Sequence, residues 1–452
     1  MGCRREKILN NTKQKNADAV GRSFIKYVSQ NILGMLGISA YVLADTFFIS
    51  RAEGAGGITA LNLVLPIYSL IFGIGSMMGV GSAIRFRILR ERREKCADDY
   101  FSNALMFAVL FGLVFMIPGV LAPGKIMAVL GGDGEIVAIG KPYTRIFLMF
   151  APFFMGNYIC NAFVRNDGNP SLAMQATLFS SLFNIVMDYV LMFPFGLGMA
   201  GAAWATAFSP VVGILICCRH FFSKKSTVRF VWQLPSLRKL AESCKLGMAA
   251  FIGEMSSGVT TALFNFLILG LAGNDGVAAF GIVANTAIVA TSVFNGLSQG
   301  AQPLFSRFYG RQERKQVGKV LRLTISTAVL LALLVLLVTG LCTEQIVNMF
   351  NSEQNAQMAE YATKGIRLYF IGFLFAGFNI AGAGYLSAVE EAGWAFVVSI
   401  VRGVAAISVS AFVLAHYFGM AGIWLAFPVA EGITSLLMVI AVRKSRGSGN
   451  IQ

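Results

Sequence analysis

Long apolar stretches follow one another along almost the whole chain, separated by short polar or Gly/Pro-rich breaks. A helix needs about 20 mostly apolar residues to cross the core of a bilayer. The pattern predicts twelve such spans, at 22–48, 58–85, 99–122, 138–163, 170–194, 198–222, 243–270, 277–306, 318–341, 357–386, 394–417 and 420–442. The fifth contains the most informative interruption. Within Ser181 to Phe193, Asn184 and Asp188 break the apolar run four residues apart, a spacing that stacks both side chains on one helical face. A carboxylate inside an apolar span is costly and persists where it faces a cavity or a partner.

Composition agrees with the pattern. Of 452 residues, 56% are hydrophobic and only 13% charged, with a mean hydropathy of +0.68, which excludes the soluble globular classes. The net charge of +15 invites a nucleic-acid reading, but 30 of the 37 Lys and Arg fall before the core of span one, around the 2–3, 4–5, 6–7 and 8–9 connections, or at the C-terminal tail. That one-sided distribution predicts cytosolic termini and explains the charge with no nucleic-acid partner. Residues 1–20 carry no apolar core followed by a small-residue cleavage site, so no signal peptide is expected. The seven cysteines have no metal-like spacing, and His220 and His416 fall near predicted helix ends. No Gly-rich loop bears the lysine of a nucleotide-binding motif.

The chain repeats itself. A shift of 219 lays Arg92, Glu94 and Lys95 over Arg311, Glu313 and Arg314, and a shift of 221 lays Gly198-Met-Ala-Gly201 over Gly419-Met-Ala-Gly422. Six spans per half is an even number, so both halves insert in the same sense, as parallel repeats. The expected architecture is an all-α polytopic membrane protein with two six-helix lobes related by a pseudo-twofold along the membrane normal. Its parts are an N-terminal tail (1–21), an N-lobe (22–222), a basic linker (223–242), a C-lobe (243–442) and a C-terminal tail (443–452). Gly73, Gly75, Gly79 and Gly81 along span two are placed for close helix packing.

Counting inward from the outer ends at ~1.5 Å per residue puts Asp45 about 5 Å deep, Asp188 about 9 Å, Thr206 about 12 Å and Asn184 about 15 Å. Two carboxylates, an amide and a hydroxyl at overlapping depths suit a sodium ion, which prefers oxygen ligands, or a proton shared between the carboxylates. In the second half, Asp45 maps onto Phe264 or Asn265 and Asp188 onto Ser408 or Ser410, so the set is not duplicated. That half carries Glu254, Glu431 and Arg402 instead. Glu254 is either a second cation or substrate site or a partner of Arg402, and Glu431 is the better candidate for a structural pair. The 38 Phe and 19 Met suit a cavity for organic cations as well as lipid contact.

Several stretches resemble the multidrug and toxic compound extrusion (MATE) family. They are Asp45-Thr-Phe-Phe-Ile49, Gly168-Asn-Pro170, Asn184-Ile-Val-Met-Asp188, Gly201-Ala-Ala-Trp-Ala-Thr206 and Gln299-Gly-Ala-Gln-Pro303. The likeness runs over about 20–445. It implies a twelve-helix antiporter that expels organic cations and other drugs in exchange for Na+ or H+. It needs no cofactor beyond the coupling ion, has small molecules and the bilayer as its partners, and works as a monomer in the cell (inner or plasma) membrane. The resemblance places a cation-coupling site at Asp45, Asn184, Asp188 and Thr206, while other members rely on a span-seven acid, here Glu254. The chain departs from the family pattern at two prolines: Gln30 and its neighbours stand where span one usually has one, and the start of span seven lacks the other. A lipid-linked oligosaccharide or peptidoglycan-precursor flippase of the same superfamily is the alternative, though it would want several basic residues in the cleft. An enzyme is not expected, since no nucleophile–base or metal constellation is visible.

Overall fold

The computed structural model describes residues 2–351 and 355–447. In a bilayer core each backbone amide must find its partner within the protein, which leaves helices or closed barrels. This chain uses helices, and no strand occurs among the described residues.

Length and composition pick out eight helices able to cross a membrane, or nine when Gly134–Met149 and Ala151–Asn166 count as one span bent by 48°. Two of these hold two spans each, because Leu237–Gly310 breaks at Gly273 and the helical run Ala392–Arg446 breaks at Gly419. Pro170–Met192, made less apolar by Asn184 and Asp188, completes the set. Among the described residues the spans are therefore Ala19–Gly54 (one), Gly56–Glu91 (two), Ala97–Leu121 (three), 134–166 (four), Pro170–Met192 (five) and Gly198–Phe221 (six). The second half supplies 237–272 (seven), 274–310 (eight), Arg314–Leu341 (nine), Ala356–Ala388 (ten), 392–418 (eleven) and 420–446 (twelve).

The breaks are chain reversals. A Cβ on Gly57 would lie 3.1 Å from the Ile49 side chain, one on Gly276 2.8 Å from Ile268, and one on Gly422 1.9 Å from the Leu414 carbonyl oxygen. Straight helix would hold residues eight apart at about 12 Å. Gly54 and Gly273 turn the chain with φ/ψ of 61°/−147° and 60°/−153°, a region open essentially to glycine alone.

The same geometry recurs at the repeat spacing found in the sequence. Positive φ occurs at Gly54 and Gly273, Arg93 and Gln312, Gly168 and Glu390, and Gly198 and Gly419. A short helix also follows the third span of each half, Pro123–Val129 in one and Thr343–Phe350 in the other. One buried apolar cluster runs from Ile49 to Val228 and belongs to the first half, and a second runs from Phe264 to Ala430 in the other. A third joins Val20, Phe24 and Val28 of span one to Leu297, Leu304 and Phe308 of span eight.

The halves meet tightly at the face carrying the termini. A Cβ on Gly81 would sit 1.8 Å from the Ser243 carbonyl oxygen, and one on Gly247 1.9 Å from that of Met77. Ser82 Oγ donates to Ser243 Oγ at 2.9 Å. Arg311 Nε pairs with Glu91 Oε2 at 2.6 Å, Arg92 with Glu390 at 3.4 Å, and Arg85 reaches both Glu390 and Glu242. Gly75 and Gly79, by contrast, press on Met155 and Tyr158 of span four, so the glycine row of span two serves two interfaces.

Three boundaries differ from the sequence expectation. The first helix begins at Gly2, so the expected tail 1–21 is continuous with span one. Span seven begins at Leu237, which shortens the linker from its expected 223–242. The last helix runs on to Gly447, while 448–452 lie outside the described residues.

Candidate functional site

Span five is started by Asn169, whose side chain accepts from Leu172 N at 3.3 Å, with Pro170 in the first turn. From there helical periodicity turns Ser181, Asn184 and Asp188 to one buried face and leaves Phe179, Leu182, Val186 and Tyr189 exposed. Asn184 and Asp188 are fully buried, and Asp45 and Thr206 nearly so.

The structure joins Asn184, Asp188 and Thr206 in one hydrogen-bonded group, with Asp45 close enough to Asp188 to interact electrostatically. With both ends of its amide satisfied, Asn184 Nδ2 donates to Asp188 Oδ2 at 3.2 Å, and its oxygen accepts from Thr206 N and Oγ1, both at 3.3 Å. Asp45 lies within electrostatic reach of Asp188. Oδ1 of Asp45 and Oδ1 of Asp188 are buried and receive no hydrogen bond among the described residues. A buried acceptor without a donor costs about 1–3 kcal/mol, and more when charged. The pocket therefore presents two unsatisfied carboxylate oxygens beside a hydroxyl and an amide oxygen, a donor set that suits a hard monovalent cation or a proton.

Tyrosines complete the wall. The hydroxyls of Tyr68 and Tyr143 hydrogen-bond to each other, and Tyr143, fully buried, sits beside Thr206 and Asp45. Tyr41, one turn before Asp45, lies within electrostatic reach of Asp45 and Asp188 and of Glu254 in the second half. Sequence reasoning passed over all three; the available signal was a phenol interrupting otherwise apolar helix.

The second half resolves differently. Arg402 Nε donates to Glu431 Oε1 at 2.7 Å, and Asn379 Nδ2 donates to Glu431 Oε2 at 2.7 Å and to its carbonyl at 2.9 Å. Glu431 thus takes the structural role, and Arg402, set in a π-helical turn at Val401–Ala405, is neutralised rather than offered to an anion. Glu254 is left out of that pair. It lies part-exposed in span seven within reach of Tyr41 and Tyr158 of the first half. Phe264, the counterpart of Asp45, is fully buried in apolar core, and Ser410 is buried too.

One residue corrects the sequence reading. Arg165, assigned there to the 4–5 loop, lies in the last turn of span four and is only 5% exposed. Its Nη1 donates to Asn31 Oδ1 of span one at 3.2 Å and to Gln299 Oε1 of span eight at 2.8 Å, tying the halves together from inside.

Twelve spans in two like halves among the described residues, one holding a buried acidic cluster and the other a closed ion pair, define a polytopic membrane protein. The chain belongs to the MatE family, whose model matches residues 31–190 and 250–412. It is 27% identical over 416 residues to the multidrug export protein MepA of Staphylococcus saprophyticus, covering 91% of each chain, and equally so to MepA of Staphylococcus aureus strain MRSA252. Its fold superposes on a MATE protein solved in complex with MaL6, with a TM-score of 0.89, 21% identity and coverage of 95% and 97%. A multidrug resistance MATE family transporter of the MOP superfamily, solved in its outward-facing conformation, gives 0.88 at 21% identity, with coverage of 94% and 96%.

Proposed function

We propose that the chain is a secondary active multidrug efflux antiporter, exporting organic, often cationic and amphipathic compounds in exchange for Na+ or H+ by alternating access. The observation that carries the reading is the pair of buried, unsatisfied carboxylate oxygens on Asp45 and Asp188, held beside Asn184 and Thr206. A site of that kind is incomplete until a cation enters it, so its occupancy and the position of spans one and five are thermodynamically linked. Closure at the face of the termini supports the outward-facing state of such a cycle. Glu254, part-exposed and within electrostatic reach of Tyr41 and Tyr158, is suited to a cationic substrate. In this reading the protein acts as a monomer in the cell membrane with both termini cytosolic, and it confers resistance to the antibiotics it expels. It is not an enzyme and carries no cofactor.

The test is drug efflux from proteoliposomes under separately imposed sodium and proton gradients, which also assigns the coupling ion. Asp188→Asn is expected to abolish gradient-driven efflux while the protein still inserts and purifies as a monodisperse species. Undiminished ion-driven efflux by that variant would remove the pocket from the mechanism, and efflux indifferent to both gradients would overturn antiport itself.

A further inference from the structure

The segment joining the halves is a strap rather than a loose tether. From Ser226 to Ser236 it forms neither helix nor strand, and its backbone is bonded to side chains of the first half at four positions. Thr227 N donates to Asp167 Oδ2 at 2.8 Å, Arg229 N to Asp98 Oδ1 at 3.0 Å, Val231 N to Ser102 Oγ at 2.7 Å and Ser236 N to Asn103 Oδ1 at 2.7 Å. Val228 is buried in the apolar core of the first half.

With its backbone turned inward, the strap presents apolar side chains outward. Trp232 is 87% exposed, Leu234 and Phe222 are each 90% exposed and Leu237 is 73% exposed. Phe230 packs edge-on against Trp232, with ring centroids 5.6 Å apart. Lys224, Lys225, Arg229 and Arg238 are exposed in the same stretch. A soluble surface does not keep such a row of large apolar groups in water without a partner, whereas Trp with apolar and basic neighbours is the composition of a membrane–water interface.

Position points the same way. The strap is bonded to the first turns of span three, whose Val109, Leu110, Leu113, Val114 and Ile117 form an exposed, lipid-facing stripe. From Asn103 to Val109 the rise is only about 9 Å, so the strap lies where that stripe begins.

We propose that the strap is an interfacial anchor for the leaflet on the side of the termini. Phe222, Trp232, Leu234 and Leu237 enter the acyl–headgroup boundary, and Lys224, Lys225, Arg229 and Arg238 bind anionic phospholipid headgroups. The anchor fixes the first half to the bilayer and leaves the second half to move against it beyond Glu242, whose carboxylate is still bonded to Tyr100.

The test uses full-length protein in vesicles of phosphatidylcholine alone or mixed with phosphatidylglycerol, taking the emission of the wild type minus that of Trp232→Phe. The expected difference spectrum is blue-shifted, shielded from acrylamide, and strongly quenched by phospholipid brominated near the headgroup end of its acyl chains. The triple variant Lys224→Gln, Lys225→Gln, Arg229→Gln is expected to lose part of that quenching in the anionic vesicles only. A water-like Trp232 open to acrylamide in both lipids would overturn the anchor. Shielding that appears only at high protein-to-lipid ratio would assign the face to a second copy of the chain, and a triple variant quenched as strongly as the wild type in the anionic vesicles would overturn the headgroup contacts.

Discussion

In the proposed reading, the cluster of Asp45, Asn184, Asp188 and Thr206 sets function against stability within a few side chains. Asn184 gives Asp188 a hydrogen bond, so Asn184→Leu strands a buried carboxylate oxygen and is expected to destabilise the protein by about 1–3 kcal/mol. Thermal melting in detergent reads this as a lowered midpoint. Asp188→Asn replaces a buried carboxyl that has an unsatisfied oxygen, and in the same assay it is expected to melt no lower than the wild type. The pocket's core was legible in the sequence, because a carboxylate and an amide at helical spacing would be too costly in an apolar run unless they faced a polar site. Tyr68 and Tyr143 were not legible, since an aromatic residue in a span serves lipid contact as readily as a site. Arg165 was misplaced because a basic residue near a helix end looks the same whether it snorkels to water or, as here, turns inward to Asn31 and Gln299.

At the scale of elements, hydropathy gave the spans but not where they turn. Gly54 and Gly273 reverse the chain with almost no intervening loop, so no polar break of loop length marks those turns. The linker was legible as basic and polar, but its order was not, because that depends on acceptors and donors far away in sequence. Asp167 is the clearest of these: it accepts from His220 Nε2 at 2.7 Å and from both the backbone and the hydroxyl of Thr227. Burial pushes its carboxyl up, but the bonds from His220 and Thr227 outweigh that effect and hold it below its ordinary value. A depressed carboxyl contributes stability that is complete above its unfolded pKa and is lost as pH falls through the folded one. Attachment of the strap is therefore expected to survive mild acid and fail only in strong acid. Protease nicking within 224–236 as a function of pH would show this as resistance held through mild acid, and nicking already at neutral pH would contradict it.

Across the whole molecule, the two halves share turns at matching positions but not chemistry. Phe264 occupies the place of Asp45, so the repeat has kept a scaffold and specialised one copy. The halves cross backbone to backbone at Gly81 and Gly247, where a Cβ would overlap a carbonyl oxygen. A cycle of alternating access must open this crossing. Ser82 and Ser243, with hydroxyls 2.9 Å apart, supply a lock. In a background without the neighbouring free Cys244, Ser82→Cys with Ser243→Cys is expected to cross-link on oxidation and stop efflux, with activity restored by reductant. Efflux that continues through the oxidised state would mean that the halves do not part at this face.

Span one belongs to one half by sequence and to the other by packing. Its inner end, at Val20, Phe24 and Val28, is gripped by span eight, while its outer part carries Asp45 into the pocket with span five. From Val28 to Asp45 is about 26 Å of helix, with no proline between them to soften it. Such a rod acts as a lever. In the antiport reading proposed above, a force that shifts Asp45 when its carboxylate is filled or emptied would be carried along this rod to the far side of the molecule. In that reading the chain's first helix is the mechanical link between the acidic cluster and the contact with span eight.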